Sequence, residues 1–151
     1  MVRSIEWQPM RTPVTRAFNF GGEDAEFVRV SSLSDNGDGW LSAQVDVAVG
    51  GFRGSYPADF NSWAFSDFHA QLKSLYLTLS GSAVFSSYEK QLEFTLTCNP
   101  RGSVRLSGEA TDLVGSGNRL LFELQLDQTY LPAIINELQS ALERFPPGDV
   151  R

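Results

Sequence analysis

Three consecutive segments in the second half of the chain alternate apolar and polar residues with a period of two. This pattern limits the possible folds more than any other feature of the sequence. Residues 91–98 place Leu92, Phe94, Leu96 and Cys98 on one side, with Glu93, Thr95 and Thr97 opposite. Residues 103–111 place Val104, Leu106, Gly108 and Ala110 against Arg105, Ser107 and Glu109, and residues 119–127 place Leu120, Phe122, Leu124 and Leu126 against Glu123, Gln125 and Asp127. A side-chain period of two is that of a β-strand with one face buried. The separators are short and turn-forming: Asn99-Pro100-Arg101-Gly102, and the glycine-rich Val114-Gly115-Ser116-Gly117-Asn118. Short turns between alternating strands predict an antiparallel meander with one apolar and one solvated face.

An apolar sheet face needs a cover, and two segments change period to supply it. Phe68, Leu72, Leu75 and Leu79 recur at helical spacing within residues 65–80, with Ser66 or Asp67 as the cap and Gly81 as the stop; an end near Leu77 is also compatible. Leu131, Ile134, Ile135, Leu138 and Leu142 form a second stripe, with Thr129 as its cap, Pro132 in its first turn and Phe145-Pro146-Pro147 beyond it. The expected class is α+β: an antiparallel, curved sheet with two amphipathic helices packed on its apolar face.

The first half is also strand-rich. Residues 40–49 alternate Leu41, Ala43, Val45, Val47 and Val49 with Ser42, Gln44 and Asp46, and Val30 with Phe27 or Val28 can face a core just before. Asn36-Gly37 suits the positive φ of a hairpin, Gly50-Gly51 a bulge or bend, and Pro57 an edge strand. Residues 82–87 add a further strand, and the first half can form a second sheet of its own. Residues 1–20 read as a basic arm or first strand, and residues 21–151 as one domain.

The chain has 151 residues, one His and one Cys, with 12 Lys plus Arg against 18 Asp plus Glu, a net charge of −6. A core of that size holds a fold without disulfide or metal. The acid is localised: residues 1–20 carry three arginines against Glu6, whereas residues 21–67 carry two arginines against eight carboxylates, a balance of −6. Such a surface repels nucleic-acid phosphates and anionic lipid heads and attracts basic partners. No stretch is apolar enough to span a bilayer or serve as a signal peptide, so the expected location is cytoplasmic, away from membrane.

Chemistry-bearing groups are sparse. His69 has no motif around it and reads as a surface or cap-proximal side chain. Asp35-Asn36-Gly37-Asp38-Gly39 resembles a calcium loop in composition but lacks its ligand spacing. Zinc lacks ligands, and Glu93, Glu109 and Glu123 lie on a flat face with Arg105 between them, a poor cleft for paired-carboxylate catalysis. No cofactor, metal site or enzymatic activity is expected. The remaining candidates form an acidic patch with aromatic anchors: Asp35, Asp38, Trp40, Asp46, Tyr56 and Asp59.

The order G-W-L-x-x-x-V-x-V at residues 39–47, G-G-F-x-G at residues 50–54 and Ser80-Gly81-Ser82-Ala83 after the first helix resembles the WapI family of immunity proteins. So does the ending L-x-F-E-L-x-x-D-Q-T-Y-L at residues 120–131 with F-P-P at residues 145–147. The likeness runs from Trp40 to Pro147. It implies protection of a bacterium from a contact-dependent toxin by direct, stoichiometric binding, with acidic members facing basic nuclease domains. It implies no catalytic residues, and gives Asp127, Gln128 and Leu131 the task of capping and seating the last helix. A small-ligand module with a pocket between sheet and helices is the other expectation.

Overall fold

The computed structural model describes residues 15–21 and 25–147. Residues 1–14, most of the expected basic arm, lie outside them. The order of elements is β1 (Phe18–Gly21), β2 (Phe27–Gly37), β3 (Trp40–Val49), β4 (Phe52–Asn61), α1 (Ser62–Thr78), β5 (Ser82–Phe85), β6 (Leu92–Cys98), β7 (Ser103–Thr111), β8 (Arg119–Asp127) and α2 (Leu131–Arg144). The class is α+β, and the strands form two sheets: β1-β2-β3-β4 and β5-β6-β7-β8, each an antiparallel meander. Each sheet is followed by a helix, so the same architecture of four strands and a helix occurs twice.

The expected faces of β6, β7 and β8 hold. Phe94, Gly108 and Phe122 share one registered row and Leu96, Leu106 and Leu124 the next, and the large side chains in both rows are buried. Gly108 leaves room there, because a Cβ at that position would lie 2.5 Å from the Glu93 carbonyl oxygen and 2.6 Å from Phe94 Cβ.

The space between the sheets and α1 is filled with phenylalanine. The Phe18 ring lies 5.3 to 6.4 Å from those of Phe20, Phe65, Phe68, Phe85 and Phe94. These distances are those of mutually supporting tilted and edge-to-face pairs. Val28 and Val30 complete the core from β2, whereas Phe27 is half-buried with the Arg29 guanidinium 4.2 Å above its ring.

Local details depart from the sequence expectation. The β2–β3 hairpin turns on Asp38 and Gly39, with φ of 55° and 81°, while Asn36-Gly37 still belongs to β2. The register slips between Ser31 and Ser34 and again between Asp35 and Gly37, and Ser32 takes φ of 56° at the first irregularity. Two extra residues in β2 move the tight turn one dipeptide downstream. Gly50-Gly51 is a two-residue hairpin connection, because Val49 pairs directly with Phe52.

Helix α1 begins at Ser62, earlier than expected, because Ala64 and Phe65 already belong to its buried face. The side chain of Asn61, the N-cap residue, faces the neighbouring loop instead of capping the helix. Leu79 in the left-handed region ends α1. Before α2, the capping group is the Asp127 carboxylate, which accepts from the Thr129 N–H through one turn of 3-10 helix.

Candidate functional site

Strand parity divides the first sheet into a buried and a solvated face, and β3 sends Ser42, Gln44 and Asp46 to the solvated one. Opposite them in β4 stand Asp59, Pro57 and Ser55. Side-chain hydrogen bonds knit this face into two clusters. In one, Asn36 Nδ2 donates to Ser42 Oγ at 2.6 Å, and Ser42 Oγ donates to Asp59 Oδ1 at 2.8 Å. In the other, Gln44 Nε2 donates to Ser55 Oγ at 2.8 Å, and Ser55 Oγ donates to Asp46 Oδ1 at 2.7 Å. Each carboxylate is thereby oriented by a neutral hydroxyl. The ion pairs Arg16–Glu137, Arg105–Glu123 and Arg119–Glu109 involve none of the candidate acids. Arg29 stands opposite Asp46 in the register, yet its guanidinium is engaged with Phe27 and with Asn19 Oδ1 at 3.3 Å.

The structure brings most of the candidate residues together. Asp46 and Asp59 lie on the ladder, Asp35 and Asp38 at the hairpin tip beside it, and the half-buried Trp40 where that hairpin enters the sheet. Asp35 Oδ1 accepts from the Gly37 N–H at 2.7 Å, which pins the tip. Tyr56 is elsewhere. Its parity is that of Ala58 and Phe60, its side chain is 6% exposed, and its hydroxyl donates to the Gln91 carbonyl at 2.6 Å. Burial pushes the Tyr56 phenol well above its ordinary range, with the nearby Asp112 charge acting in the same direction. It joins the two sheets and offers nothing to a partner. Asn36, Ser42, Gln44 and Ser55 were not singled out from the sequence. Polar alternation marks Ser42 and Gln44, but Asn36 and Ser55 come into place only through the register.

The other titratable groups of note lie away from this face. His69 lies on the buried side of α1, where α2 packs, rather than at the surface or a cap, and its Nε2 is buried without a hydrogen-bond partner among the described residues. Burial lowers its pKa and the Lys73 ammonium lowers it further, outweighing an opposing backbone contact at Ile135. Above it runs an open groove of about 390 Å³ between Lys73, Tyr76 and Leu77 of α1 and Ile135, Asn136 and Gln139 of α2. On the second sheet, Glu93 stands directly opposite Glu109. Ser86 Oγ donates to Glu93 at 2.8 Å, and Arg119 holds the Glu109 carboxyl below the usual carboxylate range. Among the described residues no cluster of three potential metal ligands occurs, and no helix is long and apolar enough to cross a membrane.

The chain path resembles solved structures of low sequence identity. The crystal structures of Trypanosoma bruciei MRP1/MRP2 share 16% identity at a TM-score of 0.53, covering 95% of each chain. A guideRNA-binding protein complex bound to a gRNA shares 15% identity at a TM-score of 0.49, covering 90% of this chain and 93% of that one. No curated protein matches. A profile of the immunity protein WapI-like family matches residues 16–146. The match extends the motif resemblance, which begins at Trp40, back across β2 and β1. With both sheets and both helices inside the matched region, this chain belongs to the WapI-like immunity protein family.

Proposed function

We propose that the protein neutralises a toxin domain by direct binding, presenting the solvated face of its first sheet to a basic surface. Family membership supports the immunity role, and the observation that carries the choice of face is the pair of hydroxyl-oriented carboxylates Asp46 and Asp59, which take part in no ion pair among the described residues. Fixed carboxylates at known spacing meet guanidinium or ammonium groups without first having to be ordered, and their field speeds encounter with a basic partner. The protein acts stoichiometrically, without cofactor or chemistry of its own. Nucleic acid is a poor partner for such a face, because its phosphates carry the same sign of charge.

The test is association kinetics with the toxin domain encoded beside its gene, at several salt concentrations. Replacing Asp35, Asp38, Asp46 and Asp59 together by Ser is expected to slow association by about tenfold or more at low salt and to flatten its salt dependence. Binding by the wild type that the four substitutions leave unchanged would rule out this face. Failure of the wild type to bind would rule out neutralisation by direct contact.

A further inference from the structure

Two open sheets have four outer edges; side chains of this chain seal two of them by hydrogen bonds, and a third is only four residues long. The edge of β4 carries Pro57, which has no N–H to offer. Beside it the Gln91 side-chain amide accepts from the Asp59 N–H at 3.2 Å and donates to the Pro57 carbonyl at 3.4 Å. One step along, the Asn61 N–H donates to Ser87 Oγ at 2.8 Å. The edge of β5 is only four residues long, and Gln71 of α1 treats it the same way, accepting from the Val84 N–H at 2.9 Å and donating to the Val84 carbonyl at 3.4 Å. The edge strand β1 is also four residues long and packs beside α2. These are recognised ways of preventing a strand edge from recruiting another chain.

The fourth edge, β8, has none of them. It runs nine residues from Arg119 to Asp127 and pairs with β7 at every position, without a bulge. It contains no proline, glycine or lysine. Among the described residues no hydrogen bond reaches its outer edge, so the peptide groups there depend on water or on another strand.

The sequence of β8 is complementary to itself. About a twofold axis at Glu123, an antiparallel pair sets Arg119 opposite Asp127 and Leu121 opposite Gln125 on the solvated face. On the apolar face it sets Leu120 opposite Leu126 and Phe122 opposite Leu124. Both ends then form opposite-charge pairs, and the apolar rows continue from one copy into the next. Leu121, 73% exposed in the single chain, gains cover, as do the half-buried Leu120 and Leu126. The two Glu123 side chains that meet on the axis are each already paired with Arg105 of their own chain.

We infer that β8 is a dimerisation edge, through which the second sheet continues into that of a second copy as one eight-stranded sheet. This is independent of the toxin-binding face, which lies on the other sheet.

The test is the mass of the full chain by sedimentation equilibrium over a wide concentration range, together with amide exchange. The wild type is expected to rise from 16.7 kDa toward twice that value, with β8 amides becoming more protected as concentration increases. The double variant Leu121→Lys/Gln125→Lys places like charges opposite each other twice, at exposed positions. Within one chain the new charge at position 125 faces Arg105 and that at position 121 faces Glu109, so the two effects offset; the melting temperature is expected to hold while the association constant falls at least about tenfold. In a Cys98→Ser background, mixing Leu121→Cys with Gln125→Cys is expected to give a disulfide between copies, since directly opposed strand residues have Cα atoms about 4.5–5.5 Å apart, within the span of a disulfide. A wild type that stays monomeric up to about millimolar concentration would overturn the inference. So would outward-facing β8 amides, those not bonded to β7, already protected in the monomer, a double variant that dimerises unchanged, or failure of the two cysteine variants to cross-link.

Discussion

The Tyr56 hydroxyl of the first sheet donates to the Gln91 main-chain carbonyl of the second at 2.6 Å, and the same carbonyl accepts from the Thr111 N–H at 2.9 Å. One oxygen therefore ties β4 to the start of β6 and the end of β7. Tyr56→Phe removes one donor and leaves the other, so the expected cost is about 1 kcal/mol in chemical denaturation. Folding favours the protonated phenol, since burial raises its pKa from 10.0. As pH climbs past 10, the unfolded chain gives up that proton first and the wild type loses stability. The Phe variant is expected to lose less over the same range, and denaturation midpoints above pH 10 measure the difference.

Ser87 is buried, accepts from the Asn61 N–H at 2.8 Å and donates to Asn61 Oδ1 at 2.8 Å. In Ser87→Ala the Tyr88 N–H still satisfies that Oδ1, but the Asn61 N–H is left without its partner. The expected loss is about 1–3 kcal/mol. Near-ultraviolet circular dichroism provides a local readout, because the Trp63 and Tyr88 rings meet edge to face at 5.2 Å beside this latch. Ser42→Ala, on the exposed ladder, is expected to change stability by less than about 0.5 kcal/mol.

Gly108→Ala pushes a methyl group against the β6 main chain and Phe94 Cβ, neither of which is the end of a flexible side chain. Displacing a central strand is expected to cost about 1–3 kcal/mol or more. Gly51→Ala, where nothing lies within 4 Å of the new carbon, is expected to stay within about 0.5 kcal/mol of the wild type. Paired thermal melts compare the two.

His69 is held neutral by burial and by Lys73, so its folded pKa lies below the ordinary 6.5. Above 6.5 both folded and unfolded chains carry a neutral imidazole and stability is unaffected. As pH falls through 6.5 the unfolded chain takes up the proton first, and stability declines until the folded pKa is passed. His69→Gln, which cannot titrate, is expected to remove that part of the decline when melting temperature is followed from pH 8 to 5. Carbon-13 shifts of the imidazole would report the neutral ring directly.

Where the signal was local, the sequence was sufficient. The faces of β6, β7 and β8 followed from strict alternation across short turns, and the buried stripe of α2 from Leu131, Ile134 and Leu138. Where structure depends on a partner strand, it was not. The two register slips in β2 are invisible without β3 opposite, so Asn36-Gly37 was the natural choice for a turn that forms on Asp38-Gly39. The orientation of Tyr56 was legible but outweighed by its aromatic character. Tyr56, Ala58 and Phe60 alternate with Ser55, Pro57 and Asp59, which already places the phenol on the buried side. Of the candidate site, the acids of β3 and β4 could be assigned to a face. The hydroxyls that orient them depend on which residues the register brings across.

The glutamine contacts have a consequence for how the two similar halves depend on each other. Gln71 comes from the first half and seals the second sheet, while Gln91 comes from the second half and seals the first. Each half thus carries the stopper for its neighbour and lacks one for itself. A chain severed between Thr78 and Ser82 would release two fragments, each with a strand edge left bare. Reassembly would restore both seals at once, so the halves are bound to each other by reciprocal protection as well as by the shared phenylalanine core.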